Sequence, residues 1–214
     1  MKHSISRVYM FLIIVSMMSV ICFCGTVTAS GKTVKSTVYH QVIKTGDSAY
    51  CNCDYGICKV NLKTGEVTWL LKLPKSWVGI SGYGYMKIEG EYLYYENRSG
   101  SAYTTSVNRI NLRSKENQVL ARSSGMDSKK PYYIISYAIK DCKLYVSGYK
   151  VNWVMELNGE SKEKSSARII LTHRKSNKKG YSIIQKGDLE EKGYAKWYLK
   201  KPNGERIYLA KVKN

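Results

Sequence analysis

The chain has 214 residues, of which 43% are hydrophobic and 24% are charged, so it carries enough apolar material for a folded core and is not a disordered chain. Three prolines exclude a proline-rich stalk, and 17 glycines without a triplet period exclude a collagen-like chain. Lysines and arginines total 35 against 16 acidic residues, and the resulting formal net charge of +19 favours anionic partners.

The first 29 residues have the pattern of a Sec-type signal peptide. Lys2, His3 and Arg7 form a basic head, and an uncharged, mostly apolar stretch follows from residue 8 to residue 25. The small residues after it predict cleavage behind Ala29. The alternative is a retained anchor, because about 18 uncharged residues reach the lower limit for a membrane-spanning helix. Either way, we expect the remainder to be secreted or displayed at the cell surface.

Two short sequence anchors recur along the chain. The first is a turn residue and two spacers, then a small or aliphatic residue and a tyrosine; the tyrosines are Tyr50, Tyr94 and Tyr145, which lie 44 and 51 residues apart. The second ends a predicted strand in a leucine; these leucines are Leu62, Leu112 and Leu157, which lie 50 and 45 residues apart. A period of this length with four short strands in each repeat is typical of β-propeller blades.

Alternating apolar residues and turn signals predict the strands of each repeat. In chain order they are 37–43, 48–53, 56–62 and 67–71; 83–88, 92–96, 106–112 and 118–122; 134–140, 143–148, 152–157 and 167–172; and 181–186, 195–200 and 206–212. We therefore predict an all-β fold, a propeller-like array of about four four-stranded antiparallel blades with an incomplete last one, behind the signal-peptide helix. The repeats span about 37–73, 82–122, 132–173 and 180–213, inside one domain from residue 30 to residue 214. The alternative is a pair of packed β-sheets with accidental self-similarity.

The segments GEYLYY and VNLKTGEVTWLL carry a family resemblance. In them a glycine precedes a Leu-Tyr-Tyr strand, and another strand ends in Asn-Leu before a Lys-Thr-Gly turn. In this pattern the chain resembles secreted bacterial propeller-like proteins, a domain of unknown function of the low-density-lipoprotein-receptor β-propeller type. The resemblance covers most of residues 37–157. It implies the propeller architecture and indicates almost nothing about the chemistry of a site.

The sequence contains no catalytic, cofactor-binding or metal-binding motif. His40 and His173 lie far apart and fit no metal-ligand spacing. Residues 79–83 lack the last glycine of a nucleophile elbow. We therefore predict no catalytic residue, no cofactor and no metal, and we interpret Glu190 and Glu191 as part of a solvated loop.

The cysteines beyond the signal peptide are Cys51, Cys53, Cys58 and Cys142. An exported protein can hold disulfides. If Tyr55 and Gly56 form a two-residue turn, Cys53 and Cys58 face each other across the hairpin, with Cα atoms about 4.5–6 Å apart, and can form a disulfide. The alternative is that the cysteines are small hydrophobic residues in the core of the blade.

The C-terminal hairpin supplies the candidate anion-binding residues. Residues 174–214 carry 12 basic and 4 acidic side chains. Alternation places Lys196 and Lys200 on one face of a strand, and Lys211 and Lys213 on one face of its partner, across an Asn-Gly sequence that favours a type I′ turn. Like charges opposite one another destabilise a sheet. Two explanations stay open: lysines that guard an exposed edge strand against aggregation, and a face that binds a polyanion.

Two functions from different classes follow. The first is an exported, non-enzymatic binding or scaffold module for an anionic cell-wall polymer, a glycan or another exported protein. Nucleic acid is disfavoured as a partner because no recognition motif is present, and we expect membrane contact only through a retained N-terminal segment. Aromatic residues for stacking, most of them expected to pack between blades, are Tyr92, Tyr94, Tyr95, Tyr132, Tyr133, Tyr137 and Trp153. The alternative is an extracellular hydrolase or lyase whose carboxylates come from different repeats and meet at a central channel.

Overall fold

The computed structural model describes residues 41–74, 78, 81–99, 103–124, 133–149, 152–165 and 180–213. All of them fall within the unit Thr37–Asn214. The predicted signal peptide and its cleavage behind Ala29 lie outside the described residues. In the described part of the chain, no helix has both the length and the apolar character needed to cross a membrane.

The described residues form antiparallel strands and one short helix. The strands are β1 (Val42–Thr45), β2 (Ser48–Cys53), β3 (Gly56–Asn61), β4 (Val67–Lys72), β5 (Ser81–Glu89), β6 (Tyr92–Ser99), β7 (Tyr103–Asn111), β8 (Asn117–Arg122), β9 (Ile134–Lys140), β10 (Lys143–Gly148), β11 (Asn152–Glu156), β12 (Glu163–Ser165), β13 (Ser182–Asp188), β14 (Tyr194–Lys200) and β15 (Arg206–Lys213), and the helix is α1 (Leu189–Lys192). Consecutive strands pair as four units, β1–β4, β5–β8, β9–β12 and the three-stranded β13–β15, which we call the C-terminal sheet. A bridge between Thr104 and Ile134 joins the second and third units. The predicted all-β, propeller-like array with an incomplete last blade is confirmed.

The two sequence anchors correspond to two turns that recur in the units. Each anchor tyrosine lies on the second strand of its unit, just after a tight turn that contains residues with positive φ, such as Gly46 and Gly90 (both φ 56°). At the second anchor, the side-chain oxygens of Asn61 and Asn111 accept hydrogen bonds from the backbone N–H groups two and three residues later. The repeated Asn-Leu sequence is therefore a turn-forming device.

Three hydrophobic clusters place the units in the spatial order last, first, second, third. One joins the C-terminal sheet to the first unit and includes Trp197 and Val60. Another joins the first unit to the second and includes Ile57 and Leu93. The third joins the second unit to the third through residues such as Tyr94. The first unit is thus covered on both faces, because the last sheet of the chain lies against it.

Buried amide side chains also hold the first unit against the second. Gln41 donates from Nε2 to the carbonyl oxygen of Met86 at 2.8 Å and accepts from its N–H at 2.6 Å. Asn52 donates from Nδ2 to the carbonyl oxygens of Tyr83 and Gly84 at 2.8 and 2.9 Å. These backbone groups lie at or beside a β-bulge in β5, which is the end strand of its sheet, and the two amides give them hydrogen-bond partners.

Two of the predicted strands extend outside the described residues. In the third unit, β12 is Glu163–Ser165 and pairs with β11, whereas the predicted strand 167–172 lies outside the described residues. The connecting turn is short because Asn158 accepts a hydrogen bond from the N–H of Glu160 and Gly159 adopts a φ of 90°. In the first unit, β1 begins at residue 42, and residues 37–40 of the predicted strand are outside the described residues.

Glu190 and Glu191 lie in the one-turn helix α1 and not in the predicted loop. The helix is stable at its ends because the Asp188 carboxylate accepts hydrogen bonds from both N–H groups, at 2.8 and 3.2 Å. Gly193, with a φ of 65°, then terminates it in the left-handed conformation.

The β14–β15 hairpin is present as predicted, but its turn is not type I′. Lys201 donates to the carbonyl oxygen of Glu205 at 2.8 Å and accepts from the N–H of Gly204 at 3.0 Å. Of the loop residues Pro202, Asn203 and Gly204, the glycine alone has a positive φ. This is a three-residue loop, because Pro202 fixes a negative φ at the first corner of a type I turn.

Candidate functional site

The inner face of the C-terminal sheet packs against the first unit. Its buried residues are Ala195, Trp197 and Leu199 on β14, and Ile207, Leu209, Ala210 and Val212 on β15. The ring of Trp197 stacks on Tyr55 with centroids 6.4 Å apart. At the margin of this contact, Lys201 Nζ donates to the carbonyl oxygen of Leu62 at 3.0 Å. The first unit is therefore a fixed support for the sheet.

The outer face of the same sheet gathers the four predicted lysines. Lys196 lies directly opposite Lys211, and Lys213 lies opposite Tyr194. Lys200 is on the same face further along β14, since residues two apart on a strand share a face. We call the whole set the basic-aromatic face; it consists of Lys186, Tyr194, Lys196, Tyr198, Lys200, Arg206, Tyr208, Lys211 and Lys213.

Arg206 and Tyr208 belong to this face, although sequence alternation does not place them there. They have the opposite parity from Lys211. A β-bulge in β15 leaves Leu209 unpaired, between one ladder pair that contains Tyr208 and another that contains Ala210, and this extra residue restores the common face. The feature that indicates the bulge is the doublet Leu209-Ala210, two consecutive buried residues in a strand that otherwise alternates.

Tyrosine rings separate the positive charges of the face. The ammonium groups of Lys196 and Lys211 each lie 5.6 Å from the ring centroid of Tyr194. Lys186 Nζ lies 5.7 Å from the ring centroid of Tyr198, whose ring meets that of Tyr208 edge-on at 5.7 Å. These distances are within the range of cation–π and edge-to-face contacts. The lysines are thus arranged beside aromatic surface that stays partly exposed to solvent.

The face has an uncompensated positive charge. Partial desolvation, followed by the nearby ammonium groups of Lys213 and Lys196, lowers the pKa of Lys211. Among the described residues, no carboxylate forms an ion pair with Lys196, Lys200, Lys211 or Lys213. The one acidic residue in register with the face, Asp188, uses its carboxylate to cap α1. Positive charge is therefore concentrated on this face, and no ion pair of the described residues offsets these four lysines.

Edge protection explains only part of this charge. β15 is an edge strand of the C-terminal sheet, and Arg206, Lys211 and Lys213 lie on it, where lysines commonly discourage strand addition. Lys196 and Lys200, however, lie on β14, which is paired on both sides. A face that no described unit covers also needs polar residues for solubility, but mixed charges without aromatic residues suffice for that purpose.

Most aromatic residues considered for stacking pack between units, as expected. Tyr94, Tyr95 and Tyr137 are buried in the interfaces of the second unit with its neighbours. Burial is the main cause that raises the pKa of each of their hydroxyl groups. Trp153 is partly buried at the interface of the second and third units, and Tyr132 lies outside the described residues. The accessible aromatic surface of the candidate site therefore comes from the C-terminal sheet.

The cysteine hairpin has a different register from the predicted one. Cys51 lies opposite Cys58, and Cys53 lies opposite Gly56. The turn is thus one residue earlier than predicted. The thiols of all three cysteines are free and buried in the structure. A Cys53–Cys58 disulfide stays a prediction, but the direct opposition on which it was based is wrong.

Gly56 explains why the observed register of the β2–β3 hairpin differs from the predicted one. The sequence suggested a glycine at a turn, yet Gly56 does not adopt a positive φ. A Cβ at this position would instead collide with the carbonyl oxygen of Leu71 and lie 3.1 Å from the ring of Trp69. Glycine is required here for the close approach of β3 to β4 and not for a turn.

Among the described residues, no three His, Cys, Asp or Glu side chains are arranged to hold a metal ion. Glu96 is fully buried and accepts hydrogen bonds at 2.7 and 3.0 Å from Arg98 of its own strand. His40 and His173 lie outside the described residues.

Comparison with known proteins yields a likeness of fold. No family model matches the sequence, and no curated protein matches it. The N-terminal domain of Nup159 aligns at 13% identity and a TM-score of 0.39, covering 78% of this chain and 46% of that one. The extracellular domain of the one-component system BT4673 from B. thetaiotaomicron aligns at 16% identity and a TM-score of 0.42, covering 76% and 20%.

An oligogalacturonate lyase in complex with manganese aligns at 14% identity and a TM-score of 0.38, covering 77% of this chain and 50% of the lyase. The chain therefore spans between a fifth and a half of the length of these solved chains. All three are β-propeller-type proteins, and the chain is similar to them in its all-β architecture; the low-density-lipoprotein-receptor type stays a prediction.

Proposed function

We propose that this protein is an exported, non-enzymatic binding module whose basic-aromatic face holds an anionic polymer at the cell surface, an acidic glycan above all. The observation that carries the proposal is the register of β14 and β15, which gathers the four lysines and three tyrosines on one accessible face. The signal-peptide pattern of the first 29 residues supports export.

The dimensions of the face suit an extended polymer better than a small anion. β14 alone runs about 20 Å from Tyr194 to Lys200, and the three strands add a width of roughly 10 Å. The cations are spread over this area in two rows. Lys200 lies beside Arg206 at the end of β14, and Lys196, four residues earlier, lies beside Lys211. Rows of separate charges match a ligand that repeats its own charges.

The tyrosines favour a polymer that contains sugar rings. Tyr198 and Tyr208 are paired across the strands and lie between the two rows of cations, and the side chain of Tyr208 is 52% exposed. An aromatic ring offers a flat apolar surface with a polar tip, which can cover the face of a sugar while ammonium groups meet its anionic substituents. A purely phosphate polymer would use the lysines and leave the tyrosines without a role.

The proposal is tested by replacing Lys196, Lys200, Lys211 and Lys213 with glutamine. Three probes distinguish the contribution of negative charge from that of sugar rings. Dextran sulfate carries both, polyphosphate carries charge alone, and dextran carries sugar rings alone. We expect the parent protein to bind dextran sulfate most tightly and dextran not at all, with affinity falling steeply as salt rises. The variant should lose roughly a hundredfold in affinity, at ~0.7 kcal/mol for each lysine.

A matched control removes the same charge from elsewhere on the surface. Lys72, Lys140, Lys143 and Lys164 are exposed residues of the first and third units, and their replacement by glutamine should leave binding near the parental value. Circular dichroism and thermal unfolding confirm that both variants fold. Equal losses in the two variants, or parental binding by the folded face variant, would overturn the proposal.

A further inference from the structure

The hairpin of β2 and β3 brings two thiols directly opposite each other. Cys51 is in register with Cys58, and both residues are fully buried in the same hydrophobic cluster. Opposed residues of an antiparallel pair have Cα atoms about 4.5–5.5 Å apart, which is inside the range that a disulfide spans. The backbone is therefore already placed for a covalent bond between them.

We propose that Cys51 and Cys58 form a cross-strand disulfide, and that the bond forms before the C-terminal sheet docks on the first unit. In the folded protein the two sulfurs lie in the cluster that Trp197 and Leu199 of the C-terminal sheet complete. An oxidant has no access to them there. The hairpin also precedes that sheet along the chain, so during export it is available first.

Burial also removes the reactivity of the thiols once the sheet is in place. The neighbouring Cys51 side chain and the apolar surroundings raise the pKa of Cys58 well above its ordinary value. The thiolate, which is the reactive form, is therefore scarce in the folded protein. A bridge that has formed early is protected against reduction, because the docked sheet keeps an external thiolate from reaching its sulfurs.

Cys53 stays a thiol in this scheme. It lies opposite Gly56, so its relation to Cys58 is diagonal, at about 7–8 Å between Cα atoms. That separation exceeds the usual span of a disulfide. Cys53 and Cys51 share one strand face two residues apart and do not oppose each other.

The oxidation proceeds by thiol–disulfide exchange with an external disulfide such as oxidised glutathione or an oxidised dithiol protein. The thiolate of one cysteine attacks the disulfide, breaks its S–S bond and releases one thiol. The thiolate of the second cysteine then attacks the mixed disulfide and releases the other. The two cysteines lose two electrons and two protons in total, and the external disulfide takes both electrons and ends as two thiols.

Differential labelling of the full chain tests the proposal. The denatured, reduced chain is refolded with or without oxidised glutathione, its free thiols receive one alkylating label under denaturing conditions, and the thiols released by reduction receive a second. One tryptic peptide, 45–59, carries all three cysteines, so tandem mass spectrometry assigns each label. After oxidative refolding we expect the first label on Cys53 and the second on Cys51 and Cys58.

The timing is tested by adding the oxidant to protein that has already folded reduced. In that sample we expect the first label on all three cysteines, and a bridge formed there would overturn the order of events. After oxidative refolding, three free thiols or a second label on Cys53 would overturn the pairing. As controls, Cys53→Ala should keep the bridge and Cys51→Ala should lose it; if Cys51→Ala does not fold, the labels on the unmutated chain still decide.

Discussion

Strands β2 and β14 are both inner strands of their sheets, yet they are used in opposite ways. From Ala49 to Cys53, every residue of β2 is buried. In β14, buried and half-buried residues alternate strictly. The difference follows from the neighbours, because the first unit is covered on both faces, whereas among the described residues the C-terminal sheet packs against another unit with one face.

The polar residues of the two strands show what this difference means. Asn52 on β2 is buried, and its amide donates hydrogen bonds to backbone carbonyl oxygens at the bulge of β5. Lys196 and Lys200 on β14 face outwards and form no ion pair among the described residues. In this array, a polar side chain between units is used for packing, whereas the lysines on the outer face of the C-terminal sheet are available for the proposed ligand.

The largest effect on stability should come from removing a buried side chain from the inner face of β14. Trp197→Ala removes a fully buried side chain from the cluster, and we expect it to lower the free energy of unfolding by about 3–5 kcal/mol. Tyr198→Ala changes the next residue on the outer face and should lower it by about 1 kcal/mol or less. Urea denaturation of the two variants measures both values.

Similar losses in the two variants would contradict the assignment of the faces. In that case the outer face would also be part of a packed interface, and its tyrosines would not be available to a ligand. A Trp197→Phe variant provides an intermediate, since it keeps most of the ring volume and should lose less stability than Trp197→Ala.

The tyrosines of the outer face should affect the choice of ligand. A double variant, Tyr198→Ala with Tyr208→Ala, should bind dextran sulfate about tenfold more weakly, at ~0.7 kcal/mol for each ring. Its affinity for polyphosphate should stay near the parental value, because the lysines are intact. Isothermal titration calorimetry with both probes gives the comparison.

Tyr149→Ala is the matched control for the loss of aromatic surface. Tyr149 is 55% exposed and belongs to the region after β10 in the third unit. We expect this variant to bind both probes like the parent. Equal weakening for dextran sulfate and polyphosphate in the double variant would show that the tyrosines merely support the lysines and do not contact sugar rings.

The smallest effect concerns a turn that belongs to neither face. Gly65 and Lys115 occupy the same turn position in the first and second units, with φ values of 77° and 68°. The left-handed conformation is unfavourable for lysine and free of strain for glycine, so Lys115→Gly should raise the free energy of unfolding by about 0.5–1 kcal/mol. Binding of dextran sulfate should not change. A loss of stability would contradict the equivalence of the two turns.

The repeats were accessible to sequence reasoning because they are encoded locally. The strand β2 was predicted with the observed bounds, and the Asn-Leu anchors of Asn61 and Asn111 lie at the turns where they were expected. Turn residues and apolar alternation act over a few neighbouring positions, so their signals survive in a single sequence. For the same local reason, alternation correctly places Lys196 and Lys200 on one face of β14, and Lys211 and Lys213 on one face of β15.

What the sequence could not supply was decided by contacts between distant segments. Glycine is required at position 56 because the backbone of Leu71 on another strand lies so close to it. The glycine therefore does not mark the turn, and the cysteine register differs from the prediction. Arg206 and Tyr208 joined the face through a bulge whose extra residue, Leu209, packs on the first unit. Both features depend on which strand lies beside which, and periodicity within one strand carries no such information.

Footprinting of lysines by reductive methylation, with and without dextran sulfate, tests the central claim most directly. Mass spectrometry then reports the accessibility of each ammonium group in the bound protein. We predict strong protection of Lys196, Lys200, Lys211 and Lys213, and unchanged labelling of Lys72 and Lys164, which are exposed in the first and third units. Uniform protection of all lysines, or protection confined to Lys72 and Lys164, would contradict the assignment of the basic-aromatic face as the binding site.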